Sequence, residues 1–160
     1  MLKKRDVSRF AWSSSPADTK AKTAMKATGS DAIETLLRDC IDEGVGPFAS
    51  DIVCSNIARS YIERIGPVYG LEDINAAGKR KIANLVSSIC PPLPADKYSI
   101  PGSKTSALPS RVRCKAIRRY SFWANQSPHE IAIEYAKARV MGDMDVGREE
   151  AAEVVRKQLG

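Results

Sequence analysis

The chain has 160 residues, 43% of them hydrophobic, and carries 25 Lys and Arg against 19 Asp and Glu, a net charge of +6. That length can bury one ordinary core and is too short for two full domains. No apolar run approaches the roughly 20 residues that cross a bilayer, and the opening MLKKRDVSRFAW lacks the apolar stretch of a secretory signal, so a soluble, non-secreted protein without a membrane partner is expected.

Residues 1–30 carry seven Lys or Arg against two Asp, a net +5, and are rich in Ser, Thr and Ala. Such a segment buries too little apolar area to fold alone. It reads as a flexible basic N-terminal arm ahead of a helical core over 31–160, with Phe10 and Trp12 as anchors for a subunit contact. A mitochondrial targeting segment is the competing reading of the same residues, weakened by Asp6 and Asp18.

From Ser30, a natural N-cap, Ile33, Leu36, Leu37, Cys40 and Ile41 share one helical face, and Gly44 is a stop. From Phe48 onward Ile52, Val53, Ile57, Ala58, Tyr61, Ile62 and Ile65 recur at helical spacing, until Gly66-Pro67. The intervening Gly44-Val45-Gly46-Pro47 also invites a helix-hairpin-helix reading, in which glycine amides approach a DNA phosphate. Asp42 stands where that motif wants an apolar residue. A third helix is expected over Gly78 to Ile89, led by Lys79-Arg80-Lys81 and closed by Pro91-Pro92.

Residues 90–110 contain five prolines and read as a long irregular loop. Arg111 to Ala124 reads as a strongly basic helix with Arg111, Lys115, Arg118 and Arg119 close to one face, followed by Tyr120, Phe122 and Trp123. The arginines suit phosphates, and the aromatic rings suit either unpaired bases or a core. Ser127-Pro128-His129-Glu130 is a capping box opening a helix to about Met141, and a last helix starts near Asp145 with acids first and Arg156-Lys157 near its end. The expected fold class is all-α.

For catalysis the inventory is thin. His129 is the one histidine and sits in a capped first turn; the acid pairs Asp42-Glu43, Glu72-Asp73 and Glu149-Glu150 are adjacent and share no helix face. The four cysteines, Cys40, Cys54, Cys90 and Cys114, form no CxxC pair, so zinc is not expected and buried reduced thiols are. A non-enzyme with no cofactor, metal or small-molecule substrate follows. Residues 91–140 carry nine basic against three acidic residues, a net +6, and this block together with the arm suits a polyanionic partner.

Four pieces in order, CIDEGVGP from Cys40, SNIARSYIE from Ser55, PVYGL from Pro67 and KRKIANLVSSI from Lys79, resemble the core of coat proteins of flexible filamentous plant RNA viruses, of the potyvirus and potexvirus type. The match covers residues 36–90. The chain departs from it at Asn84-Leu85-Val86, where that family carries an aromatic-Asp-aromatic core, in a shorter stretch between Pro47 and Ser55, and in a longer Pro-rich loop. The resemblance implies a helical domain whose arms dock on copies of itself in a helical polymer, with single-stranded RNA held by its backbone in a basic groove, in a virion or host cytoplasm. Arg59, Arg64, Lys79, Arg80 and Lys81 are the groove candidates from the matched region; Arg111, Arg113, Arg118 and Arg119 come from charge alone. A subunit of a larger assembly, for instance in a mitochondrion, is the alternative, and the helix-hairpin-helix reading is a third.

Overall fold

Helix α1, Lys20–Glu43, opens the computed structural model, which describes residues 20–71, 73–100 and 111–159. Residues 1–19 of the arm, with Phe10 and Trp12, lie outside the described residues, as do 101–110 of the Pro-rich loop. The helix begins ten residues ahead of Ser30, so Ser30 is an interior position and not the expected N-cap. Its first stretch, KAKTAMKAT, is mostly Ala, Lys and Met, strong helix formers, and one glycine at Gly29, costing about 1 kcal/mol, does not stop it.

The end of α1 falls where expected. Gly44 takes the left-handed conformation (φ 65°) and the Val45 N–H donates to the Cys40 carbonyl at 3.2 Å, closing the helix in a Schellman turn. Gly46 follows at φ 54°, and a Cβ there would stand 2.3 Å from the Tyr61 ring. Chain reversal and close packing therefore account for both glycines.

A single helix from Phe48 to Ile65 does not form. Gly46–Ala49 is a 3-10 turn, strand β1 covers Ile52–Val53, and α2 runs over Ser55–Ile65. Ile52 and Val53 are completely buried, and for β-branched residues enclosed on both faces, pairing with another strand outweighs helical spacing. A second 3-10 turn, Gly66–Tyr69, leads to α3, Ala76–Ile89, where the Asn75 side chain accepts from the Gly78 N–H at 3.0 Å. This helix starts two residues earlier than the sequence suggested and ends, as expected, just before Pro91-Pro92.

The expected basic helix over 111–124 is the main correction. Strand β2, Tyr98–Ser99, pairs antiparallel with β3, Arg111–Val112; β4, Lys115–Ala116, pairs antiparallel with β1, setting Ile52 opposite Ala116 and Val53 opposite Lys115. Only Tyr120–Ala124 is helical, as the short α4. The residues RVRCKA alternate strictly, with Val112, Cys114 and Ala116 buried and Arg111 and Arg113 exposed, the period of a strand and not of a helix.

Helix α5, Pro128–Met144, opens with the expected capping box, and Asp145 (φ 57°) ends it in the left-handed conformation. The last helix, α6, Arg148–Leu159, therefore starts three residues after Asp145, with Glu149 and Glu150 in its first turn and Arg156 and Lys157 in its last. Ser127 accepts from the Glu130 N–H at 3.3 Å while the Glu130 carboxylate accepts from the Ser127 N–H at 3.0 Å. That amide, together with the Ser127 hydroxyl donating at 2.9 Å, holds the Glu130 carboxyl below its usual range, so its share of the cap is present at neutral pH and fades as the pH falls through that lowered value. Ser127→Ala is expected to cost about 1 kcal/mol in urea unfolding.

The six helices dominate the described residues, joined by two short two-stranded ladders. One apolar cluster unites α1, Phe48, α2 and α3; a second gathers the strands around Trp123, Ile131 and Tyr135; a third lies between α5 and α6. Buried in this frame, the Glu134 carboxylate accepts from Ser50 Oγ at 2.9 Å, Arg148 at 2.9 Å and Lys137 at 3.2 Å, tying α5, α6 and the turn before β1 together. All four cysteines are buried free thiols, and burial, aided by Glu43 and Asp39, pushes Cys40 up to about 11. No described helix is long and apolar enough to cross a membrane.

Candidate nucleic-acid interface

The strand alternation that buries Val112 and Cys114 sends Arg111 and Arg113 outward. Together with Lys97 and Lys115 they line a cleft of about 400 Å³ whose other walls are Val112 of β3, Cys54, Ser55 and Asn56 at the start of α2, and Ser87 on α3. Four cationic side chains, drawn from the segment before β2, from β3 and its continuation, and from β4, thus converge on the amino end of a helix. The N-cap residue Cys54 places no side-chain acceptor on the first α2 amides, so the amino end of the helix adds a positive dipole to the same cleft.

The cations are held loosely. Arg113 pairs with Asp96 at 2.9 Å, but both side chains are more than two-thirds exposed, and such surface pairs contribute little. Lys115 donates to Ser87 Oγ at 3.0 Å. Both contacts can be exchanged for a phosphate without uncovering a buried charge.

Beyond the cleft, Arg59 lies one turn along α2 from Ser55. It pairs with Glu63 at 3.4 Å, and Lys79 at the start of α3 reaches the same carboxylate at 3.2 Å. Ser87 and Ser55 meet at one end of the α2–α3 pair and Lys79 and Glu63 at the other, so the two helices run antiparallel and carry basic groups along their length. Arg80 and Lys81 line a shallower groove on α3 with Ala77, Asn84, Leu85 and Ser88, and Lys81 lies 4.0 Å from Glu34.

Three of the arginines singled out from the sequence are committed to the protein itself. Arg64 donates to the Gly142 carbonyl at 2.7 Å and lies over the Tyr61 ring. Arg118 donates to the carbonyls of Ile41, Phe48 and Ser50, capping the carboxyl end of α1, where a cation also meets the negative end of the helix dipole. Arg119 (φ 51°) turns back onto Asp51, a carboxylate only 5% exposed that also accepts from Trp123 Nε1 at 3.0 Å. Trp123 is buried, as a core aromatic should be, whereas Phe122 stays 47% exposed.

Arg111 and Arg113 were therefore legible in the sequence as members of one basic group. Lys115 was grouped with Arg111 as well, on the face of an expected helix, whereas Lys97, Ser55, Asn56 and Ser87 were not assigned to the group. Among the described residues no cluster of His, Cys, Asp or Glu is arranged to hold a metal ion, and His129 is exposed in the first turn of α5.

No family model, curated protein or solved structure matches this chain. Its functional reading rests on the geometry above.

Proposed function

We propose that this chain is a non-enzymatic structural protein that binds single-stranded RNA by its backbone and polymerises along it in the manner of a coat or nucleocapsid protein. The observation that carries the reading is the convergence of Lys97, Arg111, Arg113 and Lys115 on the cleft at the amino end of α2. Phosphates displace condensed counterions when neutralised by Lys and Arg, and guanidinium groups grip phosphate oxygens in pairs. Ser55, Asn56 and Ser87 supply neutral hydrogen-bonding groups between the cations. Arg59 and Lys79 extend the track along α2 and α3, giving a strand more than one nucleotide of contact.

Fluorescence anisotropy with homopolymeric RNA tests the binding. Single strands release counterions with a logarithmic salt slope of about −0.7 per phosphate contacted, so four contacts give a slope near −3. Arg111→Glu with Lys115→Glu should flatten that slope and weaken all RNA sequences alike. A salt-independent affinity, or strong preference among homopolymers, refutes the reading. Negative-stain images with and without RNA test the polymer: filaments that lengthen with RNA are expected, and monodisperse particles under both conditions count against it.

A further inference from the structure

The chain carries exposed aromatic surface that the cleft does not use. Tyr120 and Phe122 on α4 are 43% and 47% exposed, beside the buried Trp123 of the second apolar cluster. Phe122 is held in place. Asp51 grips Arg119, whose guanidinium carbon is thereby held 5.0 Å from the centre of the Phe122 ring, and Phe122 meets Trp123 edge to face at 5.1 Å, with the Trp123 indole pinned to Asp51 in turn. An aromatic that meets a buried indole edge to face and carries a fixed guanidinium over its ring is a preorganised stacking surface, because neither group must be ordered when a planar partner arrives.

Its position relative to the cleft follows from the β1–β4 ladder. Asp51, which anchors the aromatic group, precedes β1, and Cys54, which lines the cleft, follows it. These residues are three apart on extended chain, about 10 Å. On the partner strand Lys115 lines the cleft and Arg119 lies four residues further on. The cleft and the aromatic group thus sit at opposite ends of one short ladder, a distance that one or two nucleotides span.

Resting on the RNA reading above, we propose that Arg119, Tyr120 and Phe122 form a stacking platform for an unpaired base of the strand whose phosphates occupy the cleft. The platform recognises the flat face common to all bases, which adds affinity for single strands without choosing a sequence. A base paired in a duplex has no free face to offer, so the platform also disfavours double-stranded nucleic acid.

The test separates base from backbone. Anisotropy is measured on the full-length chain with a labelled short oligoadenylate and with an abasic ribose-phosphate strand of equal length. Phe122→Ala is expected to weaken oligoadenylate roughly tenfold and to leave the abasic strand unchanged. Phe122→Leu, which keeps apolar bulk without a ring and guards against a folding defect, should give the same selective loss, and Phe122→Tyr should restore binding. Equal affinity of the unaltered chain for both strands, or equal weakening of both by Phe122→Leu, overturns the platform while leaving backbone binding intact. Binding of neither strand overturns the RNA reading and the platform together. Self-association that Phe122→Leu abolishes without changing oligoadenylate affinity assigns the aromatics to a second copy of the chain, and also overturns the proposal.

Discussion

Asp51→Ala is expected to lower the unfolding free energy by about 3 kcal/mol, and the melting temperature by roughly 10 °C in a chain of this size. Asp51 is almost fully enclosed, yet it receives two guanidinium N–H groups of Arg119 and the indole N–H of Trp123. Removing the carboxylate leaves the indole donor without a partner in a buried setting, at a cost of about 1–3 kcal/mol. The Arg119 side chain is 55% exposed and regains water, so the loss falls at the lower end of what breaking a buried ion pair costs. Asp51→Asn, which keeps one acceptor oxygen but no charge, should lose about half as much. Urea unfolding followed by Trp fluorescence reads both variants. Unfolding of Asp51→Ala at the same midpoint as the unaltered chain would show that the ladder and the apolar cluster hold this corner without the carboxylate.

Gly46→Ala should destabilise to a similar extent, about 3 kcal/mol, for a different reason. An L-residue at φ 54° meets a backbone penalty of about 1–2 kcal/mol, and the added methyl stands 2.3 Å from the Tyr61 ring. That ring is enclosed by its edge-to-face contact with Phe48 and by the Arg64 guanidinium above it, so moving it adds an overpacking cost of about 1–3 kcal/mol. Gly70→Ala is the internal control. It shares the left-handed backbone (φ 78°) but has open space where the methyl would go, and should lose only the backbone part, about 1 kcal/mol. Thermal melts of the two variants side by side measure the difference. Equal losses would mean that Tyr61 moves aside at little cost.

These two sites also show how unevenly the fold was written in the chain. Ser127-Pro128-His129-Glu130 specifies its own local structure, because Ser127 and Glu130 satisfy each other's backbone groups within four residues. The stop after α1 is equally local, since Gly44 alone makes the left-handed turn cheap. Apolar stripes at helical spacing located the second half of α1, α2 and α3 from Gly78 onward, and the buried set Leu37, Ile62, Ile82 and Val86 lies on those stripes.

Ile52-Val53 and RVRCKA were harder, because each is short and its state depends on a partner far along the chain: Val53 pairs with Lys115, and Ser99 with Arg111. A two-residue strand has no stability of its own. The same dependence shaped the basic interface. Charge by segment pointed to residues 91–140 as cationic, which composition alone determines. Which cations face solvent together, and which are folded inward, is set by contacts spanning some seventy positions, as when Arg118 caps α1 and Arg119 closes on Asp51.

The sequence by itself determined a mostly helical chain, the stop after α1, the end of α3, the capping box of α5, its buried thiols and its basic second half, all of which follow from local backbone preferences and counting. Only the tertiary structure decided that Lys97, Arg111, Arg113 and Lys115 meet at the amino end of α2, that Trp123 is buried while Phe122 is not, and that the Gly44 to Pro47 turn is a packing element beneath Tyr61. Each of these rests on strand pairing or burial between distant segments, whose free energy is gained only once the whole core closes.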